Sequence, residues 1–508
     1  MNTDNKRIAY NTMFLYIRML LIMVISLYTS RVALNALGVS DFGIFNVVGG
    51  LITLFSFLNG CMIEASTRFI MFELGKGHNL RLNKVFNSTL VIHSLLALLV
   101  FVLSETIGVW FLYNKMVIPQ DRINAAFWVF QFSIFTSIIT ITQVPYNALI
   151  IAHEKMKIYA YISIVEALAK LIIVYYITIT SFDKLILYAF SFFVLQLVVL
   201  SYYRIYCTVH FEESHFCLCK EKSIYKGISK FAGYEFIGSI AYVIQGQGVN
   251  LLLNLFFGPV VNAARGIAFQ VQTAVMQFNN NFLMAVRPNL IKKYASLKFK
   301  DMETLTIRTS CLSYYMMLMI MLPIMIESKN ILSLWLGQIP NHTQLFLILV
   351  LVNCLIQIPG GARNIVYKAS GKVKRMNIAK TIITCLLVLA SYIWLKITNG
   401  QPESAFFFVI IASIINEVIN IVLFFSEVEG INYNKYIYQV YVRCFFVTLL
   451  VVIINVYFHS MVKVDLELLS VLITFIISII SVSLISLFGG IDKETRKGIF
   501  LYIKNKYS

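Results

Sequence analysis

Leu468-Leu-Ser-Val-Leu-Ile-Thr-Phe-Ile-Ile-Ser-Ile-Ile-Ser-Val-Ser-Leu-Ile-Ser-Leu-Phe-Gly-Gly-Ile491 runs without one formal charge. About 20 predominantly apolar residues suffice to cross a bilayer as a helix. Leu185–Tyr203 is a second charge-free run, and Ile123–His153 and Asn330–Ala362 are longer uncharged stretches carrying Pro145 and Pro359. The runs are continuous rather than alternating, which excludes a β-barrel. Composition agrees: hydrophobic residues make up 59%, charged residues 13%, and the mean hydropathy is +0.78. Soluble domains carry about 45–50% apolar and about 25% charged residues. The chain reads as an all-α polytopic membrane protein.

Outward from these runs, spans are expected at 9–34, 42–63, 86–112, 123–148, 156–179, 183–206, 231–256, 260–286, 306–327, 343–367, 376–398, 402–426, 437–459 and 466–489. That is about fourteen, with 376–398 the weakest and twelve still open. The first span follows Lys6 and Arg7 without a cleavage pattern and reads as retained. Of the 42 Lys and Arg, 32 fall in one alternating set of loops and termini (Arg363 among them) and 6 in the other. Such a bias places both termini in the cytoplasm and accounts for the net charge of +18 without nucleic acid. The opposite loops are too short for a catalytic domain, so function is expected between helices.

Two echoes suggest parallel duplication. Gln143-Val-Pro145-Tyr-Asn-Ala148 resembles Gln357-Ile-Pro359-Gly-Gly-Ala362, and Asn35-Ala-Leu-Gly38 resembles Asn254-Leu-Phe-Phe-Gly258. They align span 4 with 10 and span 1 with 7. The expected organisation is an N-terminal lobe at 1–206, a cytoplasmic linker at 207–230, a C-terminal lobe at 231–427, and an added helix pair with a tail at 428–508. The two six-helix lobes would surround a central cavity.

Ionisable residues inside spans are costly and mark function. The intramembrane cations are Arg18, Arg31, Lys170 and Arg265. From Arg265, Gln272 and Asn279 recur at seven-residue steps, with Asn262, Asn280 and Arg287 near the same direction. This stripe lines a lumen or packs helices. Arg18 and Arg31 lie about 220° apart on a straight helix; Arg31 is also near enough to a span end to snorkel. Glu166 and Lys170 stand at i,i+4, as a self-neutralising pair or an ion-coupling site. Glu235 and Glu417 are further carboxylates, suited to proton exchange or to structural hydrogen bonds. Span 7 carries Gly238, Gln245, Gly246, Gln247 and Gly248, which suits a bend or an unwound turn. His210, His215, Cys217 and Cys219 match no zinc spacing, and no nucleotide or hydrolase motif is present. No metal, cofactor or catalytic residue is expected.

Ser30-Arg31-Val-Ala-Leu-Asn-Ala-Leu37-Gly38 with Asp41-Phe42-Gly43, and Gln247-Gly248-Val-Asn250 through Asn254, Gly258, Asn262 and Arg265-Gly266, resemble Wzx-type polysaccharide (O-antigen) flippases. These belong to the MOP superfamily, with the MATE exporters and lipid II flippases. The resemblance implies alternating access, a bacterial cytoplasmic membrane, and an undecaprenyl-pyrophosphate-linked oligosaccharide as substrate. Arg18, Arg31 and Arg265 would meet the pyrophosphate, while Gln272 and Asn279 meet sugar hydroxyls. Membrane lipids and glycan polymerase machinery are the implied partners, and the chain would act as a monomer, without nucleic acid. Many MATE exporters use a span 1 carboxylate, whereas no Asp or Glu occurs here between Asp4 and Asp41. Drug antiport and lipid II transport stand as alternatives, with a membrane glycosyltransferase or polymerase behind them.

Overall fold

The computed structural model describes residues 3–490, apart from 54–55, 78, 115–117, 218, 220, 258, 337–338, 399 and 462–465, together with 496. Every described element is helical, as required where backbone groups find no water and must bond within their own segment. Two compact units divide the chain, Ala9–Phe236 and Ile237–Ser508, the latter taking Met1–Ile8.

In the first unit, α1 (Thr3–Thr53) is two helices merged across Gly38, whose φ of +78° is open to glycine at no steric cost. Next come α2 (Ser56–Lys76), α3 (Asn79–Leu103) and α4 (Val109–Asn114), the last two joined through a π-turn at Ser104–Gly108. Then follow α5 (Ile123–Ala152), α6 (Met156–Ile179) and α7 (Lys184–His210). α5 is the hub, packing on α2, α3 and α7 around buried Ala126, Val129, Phe130 and Ile134. Arg122, one residue before α5, ion-pairs with Asp41 and with Asp183, the N-cap of α7. His153 and Glu213 pair at 2.5 Å at the other end, where Asn83 and Asn87 hold the His215 carbonyl. The two loop sets read from the sequence thus gather at opposite ends of this unit.

The unit boundary falls inside α8 (Lys222–Val243), after Phe236. A π-turn at Ile244–Gly248 leads into α9 (Val249–Phe257), followed by α10 (Pro259–Ala295), α11 (Phe299–Ile326) and α12 (Ser328–Leu336). α13 (Thr343–Gln357) meets α14 (Gly361–Ser370) across a 3₁₀ turn containing Pro359. The remainder is α15 (Val373–Thr398), α16 (Ser404–Glu427), α17 (Tyr433–Tyr436), α18 (Arg443–Met461) and α19 (Glu467–Ile485). Further π-turns occupy Ile437–Val442 and Ser486–Gly490. α11 runs through the core, its Tyr315, Met317, Leu318 and Met321 packed against α13 and α19.

Ten helical stretches among the described residues are long and apolar enough to cross a membrane, from Leu80–Asn114 to Glu467–Gly490. The expected spans 1, 2, 7 and 8 lie on α1, on α1 and α2, on α8–α9 and on α10, outside those ten. Of these, α10 is polar, carrying Arg265 and its Gln and Asn residues, whereas Tyr10–Ser26 of α1 is an apolar helical stretch of its own. One loop assignment is corrected. Arg363, counted among cytoplasmic loop cations, lies in α14 with its side chain fully buried. Its position after Pro359 and Gly360 looks like a turn, but the 3₁₀ step lets the helix continue.

Candidate functional site

α6 presents Tyr159, Ser163, Glu166 and Lys170 at three- and four-residue steps, so they share one face. Onto it α1 brings Arg18, whose Nη1 donates to Ser163 Oγ at 3.4 Å while the guanidinium lies 4.7 Å from the Tyr159 ring centre. Among the described residues, buried Arg18 Nε has no hydrogen-bond partner. Lys170 Nζ donates to Glu166 Oε1 at 2.7 Å, and Gln196 Nε2 from α7 donates to the same oxygen at 2.8 Å. The structure therefore brings three sequence candidates, Arg18, Glu166 and Lys170, into one half-buried polar cluster of the first unit. Arg31 lies in α1, and its side chain is outside the described residues.

In the second unit, Arg265 reaches back across α9. The Ile244–Gly248 π-turn breaks the regular ladder, and the Gly246 carbonyl there accepts from the Val249 N–H. Arg265 Nη2 donates to that Gly246 oxygen at 2.6 Å, and Nη1 to Asn250 Oδ1 at 3.2 Å. The Phe269 ring centre lies 4.1 Å from the guanidinium carbon, and among the described residues the buried Nε has no partner. The expected bend in span 7 is thus a π-turn. Gln245 is half-buried, and the Gln247 side chain is outside the described residues.

The Arg265–Gln272–Asn279 line does not share one environment. Gln272 Nε2 points to Cys354 Sγ on α13 at 3.1 Å, whereas buried Asn279 accepts from Ser313 Oγ on α11 at 2.5 Å. Both amides cross-link neighbouring helices. The face of α10 that no protein covers is a different one: Gly266, Gln270, Thr273, Ala274, Gln277 and Asn280 are all exposed. No large apolar side chain of α10 is exposed among the described residues. An amide-lined face of this length is incompatible with hydrocarbon, so it faces water in a membrane-embedded chain. Sequence reasoning tracked the seven-residue repeat from the charge and so missed Gln270 and Gln277. Counting which face lacks bulky apolar residues would have found them.

Glu417 on α16 belongs to a closed triangle. Its Oε2 accepts from Arg363 Nη2 at 2.9 Å and its Oε1 from the Tyr441 hydroxyl at 2.5 Å, while Arg363 Nη1 donates to that hydroxyl at 2.9 Å. Gly360 allows the approach, because a Cβ there would stand 2.6 Å from Glu417 Oε1. Removing one partner from such a buried pair strands a charge, at a cost of about 3–5 kcal/mol. Glu235 is buried in α8. Sequence reading passed over Glu327, fully buried between α11 and α12, because it sits at the edge of an apolar run beside Lys329.

This arrangement of bundled helices has known counterparts. The chain superposes on a multidrug-resistance MATE family transporter of the MOP superfamily in an outward-facing conformation, with a TM-score of 0.71 at 12% identity over 85% of this chain and 96% of the other. A MATE in the straight conformation gives 0.69 at 13% identity, over 85% and 97%. A MOP superfamily transporter from Pyrococcus furiosus gives 0.64 at 12% identity, over 82% and 95%; its binding pocket is described as reversed in polarity, suggesting a different function. The chain therefore shares the fold of these MATE transporters. No family model matches it, and no curated protein does.

Proposed function

We propose that the chain is a flippase, moving an undecaprenyl-pyrophosphate-linked oligosaccharide across the bacterial cytoplasmic membrane by alternating access, with both termini in the cytoplasm. The reading rests on one observation: the uncovered, amide-lined face of α10, with buried Arg265 at its head. Uncharged amides suit sugar hydroxyls, which both donate and accept. Guanidinium groups suit phosphate, and pair more strongly where water is scarce. Arg18 provides a second such group in the first unit, and Arg31 a third by sequence. In this reading 1–206 and 231–427 are the two moving lobes, with 428–508 appended.

The fold shared with MATE exporters favours drug antiport as a second reading. Against it, the segment from Asn5 to Ser40 has no carboxylate to attract a cationic drug. Reconstitution in proteoliposomes with a fluorescent lipid-linked pyrophosphoryl glycan separates the two. Gln270→Leu with Gln277→Leu is expected to lower glycan flux at least tenfold, while Gln272→Leu, facing Cys354, stays near wild type. Wild-type flux in the double variant would overturn the assignment of the α10 face. Coupling through Glu166, Lys170, Glu235 or Glu417 is proposed with it, and flux that survives collapse of both proton and sodium gradients would reject it.

A further inference from the structure

Glu417 pairs with Arg363 and Glu166 with Lys170. Glu327 is held differently. Its side chain has no exposure; Oε1 accepts from Ser470 Oγ and Thr474 Oγ1, both at 2.7 Å, and Oε2 accepts from Asn330 Nδ2 at 2.7 Å. Three donated hydrogen bonds on two oxygens suit an ionised carboxylate, which only accepts. A buried charge needs a counter-charge, and among the described residues the cation within reach is His459, with Nε2 at 3.6 Å from Oε1. That ring is 38% exposed, two residues before α18 ends. Imidazole is the side chain that changes charge near neutral pH.

We propose that Glu327 and His459 form a proton-binding site of the second unit, independent of the glycan reading. The proton is taken up from the aqueous phase on the ring, which turns a buried lone carboxylate into a neutral ion pair. Among the described residues, few groups face it from the packed elements. α12 supplies Asn330, with Lys329 exposed; α13 supplies Gln344, bonded to Ser328. α18 supplies His459, and α19 supplies Ser470 and Thr474, with Glu467 bonded to Ser333. A second pair of the same design, His342 with buried Glu403, stands 2.5 Å apart at the N-termini of α13 and α16. Since α19 supplies two of the three donors, proton occupancy governs how firmly α18 and α19 are held to α11 and α12.

The test uses the full chain in lipid nanodiscs with isotope-labelled histidine, titrated by NMR. The His459 signal is assigned by its loss in His459→Gln. In Glu327→Gln the proton affinity of His459 is expected to fall at least tenfold; an unchanged or raised affinity overturns the proposal. Should Glu327→Gln fail to fold, His459→Gln, at a partly exposed position, supplies the reciprocal measurement by infrared difference spectroscopy. The buried carboxyl band of Glu327 is then expected to appear on acidification at least one pH unit higher than in wild type. A band at the same pH, or lower, overturns it.

Discussion

Arg363 has no exposed side-chain surface, and its charge is met by one carboxylate and one phenol. Glu417→Gln would leave that guanidinium buried without a counter-ion. We expect a loss of about 3 kcal/mol or more of stability, read as a lowered denaturation midpoint in detergent. Replacing both partners with apolar residues of similar volume, Arg363→Met with Glu417→Leu, should recover a large part of it, because no charge is then stranded. Gly360→Ala puts a methyl group 2.6 Å from Glu417 Oε1. Overpacking at such a site costs about 1–3 kcal/mol, and the same unfolding measurement shows it.

The segment following α7 is held by one charged contact beside the Asn83 and Asn87 amides. Burial pushes the Glu213 carboxyl up, yet the hydrogen bond from His153, with help from the backbone, outweighs burial and holds it below the ordinary carboxylate value of 4.5. A carboxyl with a depressed folded-state value adds stability above its unfolded value, and that stability vanishes as pH falls through the folded one. Hydrogen exchange across residues 211–216 should therefore be slow at neutral pH and speed up below about pH 4. Glu213→Gln should exchange quickly throughout that range. Phe211 stacks on the His153 ring at 4.2 Å, so the anchor is aromatic as well as ionic. This helix end was legible in the sequence only as a polar linker, since nothing local pairs 153 with 213.

At the scale of the chain, hydropathy and the basic-loop count made an all-helical membrane protein legible, along with the alternation of its ends. The ends meet as that alternation requires: Arg122 with Asp41 and Asp183, Lys435 with Glu303, His342 with Glu403. Fusing topology reporters at Lys329 and Lys374 should place 329 outside and 374 inside; the reverse would invert the proposed orientation. The candidate site was less legible. Periodicity from Arg265 pointed to Gln272 and Asn279, which turn into helix contacts, while the uncovered face lies along Gln270 and Gln277. Sequence spacing gives relative angles on one helix, but which angle is covered depends on neighbours hundreds of residues away. For the same reason Arg363 passed as a loop cation and Glu327 went unnoticed.

The π-turn before α9 amounts to one surplus residue wound into a rod. If that residue is absorbed into ordinary winding, everything on one side swivels by about 100°, the angular step of a single residue. Asn250 would swing away from Arg265, and the Gly246 oxygen would turn into the regular ladder, setting the guanidinium loose. A conformational cycle could thus load and unload its cation by re-phasing a single turn, leaving the helices in place.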